Sequence, residues 1–90
     1  MQLTRSLAVG WAQDNIQVNG IPPGFIDTNL SAGGKRDIPG LEEGVKARTP
    51  AGRWGEPEDM VGTAIFLASG ASDFLTGAAI PVDGGFAVKV

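Results

Sequence analysis

The 90-residue chain contains no cysteine, no histidine and no tyrosine. Without a thiol there is no disulfide, no sulfur nucleophile and no thiolate metal site. Without an imidazole, neither a Ser-His-Asp triad nor a common zinc site can be assembled. The missing phenol leaves carboxylates and Lys35, Lys46 and Lys89 as the groups able to move a proton. No apolar run approaches the roughly 20 residues that span a bilayer, and the first residues lack the basic and apolar regions of a signal peptide. The expectation is therefore a cytoplasmic protein with no membrane partner. Basic charge is also sparse: seven Lys and Arg face ten Asp and Glu, for a formal charge of -3. The longest basic run, Lys35-Arg36, is too short to grip a phosphate backbone, so nucleic acid is not an expected partner.

What is present is a composition of 42% hydrophobic and 19% charged residues with no linker-like break, which predicts one soluble domain over residues 1–90. A chain this short buries only a modest share of its surface, so partner chains are expected to cover some of it and a homo-oligomer is anticipated. Leu3, Leu7 and Trp11, with Ala8 and Ala12 beside them, fall on one face of a helix predicted over residues 2–14, with Thr4, Arg5 and Gln13 outward. Asp14-Asn15 supplies its stop, since both side chains compete for backbone hydrogen bonds. The β-branched run of residues 16–21 reads as a strand closed by Pro22-Pro23-Gly24. Residues 25–50 carry many glycines and prolines and are expected to form a mobile, lid-like connection with one short helix near Leu41 to Ala47.

A further helix is expected from Glu56-Pro57-Glu58-Asp59, where proline opens the first turn and carboxylates meet the positive end of the helix dipole. Val61, Ala64, Ile65 and Ala68 would form its buried stripe, widened by Met60 and Leu67, with Ser69-Gly70 as the stop. Residues 78–82 read as a last strand ending at Asp83-Gly84-Gly85, a common turn composition. The order helix, strand, lid, helix, strand calls for two parallel strands joined by a right-handed crossover. Arg53 and Asp59 can pair at the second helix's start. Trp11 and Trp54 suit a core or an interface, and the lysines are most simply solvated.

Six segments together resemble the classical short-chain dehydrogenases/reductases: residues 3–8, Ile16-Gln17-Val18-Asn19, residues 23–28, residues 52–59, Phe66-Leu67-Ala68-Ser69 and Val82-Asp83-Gly84-Gly85. Their order and spacing match across essentially the whole chain, as the C-terminal third of such an enzyme. The fold class implied is α/β, a truncated Rossmann-like fragment completed by oligomerisation. In that family the Pro-Gly-x-x-x-Thr segment lines the nicotinamide end of the cofactor site. The resemblance therefore assigns Pro23 and Gly24 to shaping the turn, backbone near Ile26 to the carboxamide, and the Thr28 hydroxyl to the cofactor. Read without the resemblance, Pro22-Pro23-Gly24 is a turn and Thr28 a helix cap. Asn19 either orients neighbouring backbone or ends its strand.

The same resemblance exposes what is missing. The family's glycine-rich diphosphate turn, its catalytic serine and its Tyr-x-x-x-Lys pair have no counterpart in these residues, and Met1 falls a few positions after the expected lysine. Gly10 and Gly20 stand where Glu and Ala are usual, and Pro22 precedes the Pro-Gly pair. No catalytic residue and no metal ligand is assigned. NAD or NADP is the cofactor implied for the parent family, with none expected to bind this chain alone. A segment unable to transfer hydride alone is thus expected, or alternatively a module that associates with itself or with a complementary fragment of the same family.

Overall fold

The computed structural model describes residues 1–89. It contains two compact units, each assembled from two separated stretches: Met1–Pro22 with Val61–Ile80, and Pro23–Met60 with Pro81–Val90. No helix among the described residues is long and apolar enough to cross a membrane.

In the first unit, α1 (Gln2–Trp11) runs into a 3-10 turn at Ala12–Asp14 and stops at Asn15. Asn15 is left-handed (φ 58°), its N–H returning to the Ala12 carbonyl at 3.1 Å, a conformation that asparagine tolerates better than most residues. The buried side of α1 differs from the predicted one. Ala8 is buried, but Leu3 is 71% exposed and Trp11 43% exposed. Thr4, expected outward, is half-buried with its Oγ1 3.9 Å from where a Cβ on Gly20 would sit. The unit offers α1 a small glycine-lined seat filled by Ala8 and Thr4, with Leu7 half-buried, while Leu3, Val9 and Trp11 remain exposed.

The expected strand at 16–21 is a minimal parallel pairing, an isolated bridge between Gly20 and Ala79. Gly77 donates to Val18 O (2.8 Å), Gly20 to Ala78 O (2.9 Å) and Ile80 to Gly20 O (2.9 Å). The pairing stops there because Pro22 lacks the N–H that would bond the Ile80 carbonyl next. Asn19 orients backbone: its Nδ2 donates to Leu75 O and its Oδ1 accepts from Ala78 N. The α4 helix (Glu58–Ala68) ends as expected before Ser69, and the Ser72 hydroxyl donates to the Leu67 carbonyl at its C-terminus. Its predicted buried stripe is not buried: Val61, Ala64, Ile65 and Ala68 are exposed, and Met60 and Leu67 only half-buried. Nothing else in the described chain covers that face.

In the second unit, α2 (Asn29–Asp37) and α3 (Leu41–Arg48) follow one another. The α3 helix coincides with the one predicted in the lid. The α2 helix is an addition, despite Gly33 and Gly34 in its interior, each costing about 1 kcal/mol relative to alanine. A reciprocal cap offsets part of that cost: the Thr28 side chain accepts from Ser31 N (3.4 Å), and the Ser31 hydroxyl accepts from Thr28 N (2.8 Å). Glu42 and Glu43 open α3, and Lys46 and Arg48 close it, matching the helix dipole. Val45 is fully buried, and Trp54 is 8% exposed. The expected last strand at 78–82 enters this unit only as a bridge from Val82 to Pro23. Asp83 is a turn residue, its carboxylate accepting from Gly85 N and Ala87 N at 3.0 Å each.

Candidate functional site

The second unit gathers residues 23–28 against two other stretches of the chain. Gly24 N donates to Val82 O at 3.1 Å, which fixes the turn after Pro23. Only glycine fits at position 24, since a Cβ there would lie 2.8 Å from the Asp83 Cα. A parallel bridge that sequence reasoning missed then joins Ile26 to Gly55. Gly55 N donates to Phe25 O (2.8 Å), and Asp27 N donates to Gly55 O (2.7 Å). In this parallel pattern the bonds to Gly55 come from the residues flanking Ile26, so its own N–H and C=O turn to the opposite side. Neither has a hydrogen-bond partner among the described residues.

A concavity of about 150 Å³ opens beside this turn, lined by Gly24, Ile26, Thr49, Arg53, Asp59 and Asp83 among others. Of the four residues singled out in the sequence, Gly24 and Ile26 line it while Pro23 and Thr28 do not. Pro23 is held in the bridge to Val82, and Thr28 is the cap of α2. The capping reading of Thr28 is thus realised. Its hydroxyl oxygen accepts from Ser31 N, which leaves the hydroxyl hydrogen able to donate elsewhere.

The expected pairing of Arg53 with Asp59 is present and bidentate, Nη1 to Oδ2 at 2.8 Å and Nη2 to Oδ1 at 3.2 Å. Asp59 Oδ2 also accepts from Glu56 N at 2.7 Å, so the carboxylate ties the loop to the start of α4. The hydrogen bond from Arg53, followed by that from the Glu56 backbone, holds the Asp59 carboxyl down at about 2 from an ordinary 3.8. The same hydrogen bond raises the Arg53 guanidinium. A depressed carboxyl contributes stability above its unfolded value and loses it as pH falls through the folded one. An Asp59→Asn variant is accordingly expected to melt lower than the parent above pH 4, with the two melting curves converging as pH falls toward 2. Thermal scans across that window measure the gap, and a gap independent of pH would contradict the pairing.

Phe25, Trp54 and Lys35 form a second cluster that composition and spacing did not reveal. The Phe25 ring stands edge-on to Trp54 (centroids 5.9 Å apart) and to Phe86 (5.5 Å). Trp54 Nε1 donates to Glu42 O in α3 at 3.2 Å. Lys35, expected to be solvated, has a side chain only 16% exposed, with Nζ 3.1 Å from Asp27 Oδ2 and 4.4 Å from the Trp54 ring centroid. No local sequence signal announces this pairing, because Asp27, Lys35 and Trp54 share no periodic spacing.

Comparison with known proteins adds an independent line. A family model described as enoyl-(acyl carrier protein) reductase matches residues 1–87. The chain is 46% identical over 88 residues to the 2-dehydro-3-deoxy-D-gluconate 5-dehydrogenase of Formosa agariphila, covering 98% of this chain and 33% of that protein. Against the 5-keto-D-gluconate 5-reductase of Escherichia coli strain K12 the identity is 46% over 88 residues, covering 98% and 34%. The crystal structure of a putative gluconate dehydrogenase from Agrobacterium tumefaciens superposes with a TM-score of 0.92 at 47% identity, over 99% of this chain and 35% of that one. A gluconate 5-dehydrogenase from Burkholderia cenocepacia, in complex with NADP and tartrate, gives 0.91 at 43% identity, over 99% and 34%. The chain thus spans about a third of the length of the relatives it matches.

Proposed function

On the premise that the chain belongs to the short-chain dehydrogenase/reductase family, we propose that it is the C-terminal third of an NAD(P)-dependent oxidoreductase of that family. The parent substrate is a hydroxy or keto sugar acid of the gluconate type, a reading supported by the names of the relatives. Residues 23–28 form one wall of the nicotinamide site. The segment works as one cytoplasmic domain, residues 1–90, with α2, inside the 25–50 connection, as its lid.

The observation that carries this reading is the unpaired backbone of Ile26. A nicotinamide carboxamide offers one acceptor oxygen and two donor hydrogens, and the Ile26 N–H and C=O are the complementary set. Pro23 and Gly24 hold that strand end in place through Val82 and the close approach to Asp83. The Thr28 hydroxyl, fixed by the α2 cap, keeps a hydrogen to donate toward the same ligand. Ligands of open α/β sheets bind beyond the carboxyl ends of strands, which is where this turn falls. When bound, the nicotinamide supplies the hydride acceptor or donor. The chain's own residues position it and do no more, because no tyrosine is present to exchange a proton with the reacting oxygen.

A second reading, self-association or complementation by another fragment of the family, is favoured by a specific observation. Leu3, Val9 and Trp11 on α1 and Val61 and Ile65 on α4 are all between 43% and 80% exposed. Uncovered apolar side chains at this density suit an interface.

One sample tests both readings. Purified chain mixed with NADPH or NADH and 5-keto-D-gluconate is expected to give no nucleotide oxidation above buffer, while sedimenting as a dimer or larger. Turnover abolished by Thr28→Ala would overturn the first reading, and a clean monomer at micromolar concentration would overturn the second.

A further inference from the structure

We propose that Lys35 is the latch of a hinged flap formed by α2, clamped between the Asp27 carboxylate and the Trp54 ring. The floor of the device is rigid. Asp27 and Phe25 are tied to Gly55 by backbone hydrogen bonds of 2.7 and 2.8 Å. Trp54, next in sequence to Gly55, is buried and held from two sides, by its Nε1 bond to Glu42 O and by the edge of Phe25.

The flap is the opposite in character. No residue of α2 is buried, Leu30 is 95% exposed, and Gly33 and Gly34 weaken the helix interior. At nine residues it is also shorter than the roughly 12–15 at which an isolated helix becomes marginal in water. Its cap, Thr28 with Ser31, joins it to its own beginning and so works as a hinge, restraining nothing beyond the first turn. Lys35 lies about two turns beyond Thr28, and its ammonium reaches both parts of the floor, 3.1 Å from Asp27 Oδ2 and 4.4 Å from the Trp54 centroid.

The two partners do different jobs. The carboxylate supplies a directional hydrogen bond to the ammonium. The indole face attracts the same charge while covering the lysine's methylene stem, which explains how a lysine on an otherwise exposed helix has a side chain only 16% exposed. Release of that side chain would loosen α2 between its cap at Thr28 and its contact with α3, where Gly34 lies against Leu41, and let it move relative to the turn at residues 24–28. The device is a property of this chain alone and does not depend on any cofactor being bound.

Hydrogen exchange of the α2 amides reads the latch directly. Lys35→Met, which keeps the stem and removes the charge, is expected to speed exchange across α2 about tenfold while leaving α3 and α4 unchanged. Lys35→Arg, which retains both partners, should restore slow exchange. Unchanged α2 exchange in Lys35→Met, or an acceleration spread equally over α3 and α4, would overturn the proposal. If Lys35→Met fails to fold, Asp27→Asn replaces it: a rise confined to α2 supports the latch, and no rise defeats it.

Discussion

Alanine at position 24 is expected to destabilise the chain by about 3 kcal/mol or more, as a side chain forced into a filled space does when its neighbours are backbone. A Cβ on Gly24 would lie 2.8 Å from the Asp83 Cα, 2.9 Å from its Cβ and 3.1 Å from its carbonyl oxygen. None of these atoms can turn aside as the end of a flexible side chain does. Relief requires the 24 and 83 segments to part, which lengthens the Gly24 to Val82 hydrogen bond and disturbs the Asp83 turn. Total stability at this length is about 5–13 kcal/mol, so the substitution removes a large share of it. Urea unfolding gives the measurement, with Gly44→Ala as the contrast. A Cβ at position 44 meets nothing within 4 Å, and alanine in the α3 interior is expected to leave stability unchanged or raise it by up to about 1 kcal/mol. Equal unfolding midpoints for the two variants would show that the close approach at Gly24 does not exist.

The helices with strong local signals were legible from the residues. Asn15 ends the α1 segment because asparagine tolerates the left-handed backbone there, and Glu58 and Asp59 open α4 because the dipole favours them there. The Arg53 to Asp59 pair was legible because the two residues bracket the start of that helix. The α2 helix was not, since Gly33 and Gly34 argue against it and its cap uses serine where the familiar signal has Glu or Gln. The β-branched run at 16–21 and the stretch at 78–82 suggested full strands, but a strand is defined by its neighbours, and Pro22, with no N–H to give, cuts the pairing to single bridges. Burial was misjudged for Leu3, Ile65 and Trp11, because apolar spacing says which face could be covered and not whether anything covers it. At the site, family resemblance singled out Pro23, Gly24, Ile26 and Thr28, of which Gly24 and Ile26 line the concavity and Pro23 and Thr28 do not. The opposing wall, from Thr49 to Gly55 and Asp83 to Gly84, came together only through contacts between distant stretches, which carry no local signature.

Trp54→Ala is the second substitution expected to have a large effect, about 3–5 kcal/mol of stability, the range for removing a buried indole. At 8% exposure Trp54 is among the few buried residues of the chain, and its contacts are not interchangeable. Truncation removes the edge contact with Phe25, the face under Lys35 and the donor to Glu42 O in α3. Trp54→Phe separates these contributions. A phenyl ring keeps a face for Lys35 and an edge for Phe25 but gives Glu42 no hydrogen bond, a loss of about 1 kcal/mol at a carbonyl that water can reach. The gap between the two variants in urea unfolding therefore measures the packing and cation contribution of the ring itself. Equal losses in both would mean that the hydrogen bond to α3 is what matters and that Phe25 and Lys35 gain little from the indole. The expected inequality places the ring at the junction of the 25–27 turn, α2 and α3. Ile26 lies in that turn, bonded on both flanks to Gly55, the residue after Trp54, so a chain lacking this ring should also lose the defined backbone at Ile26.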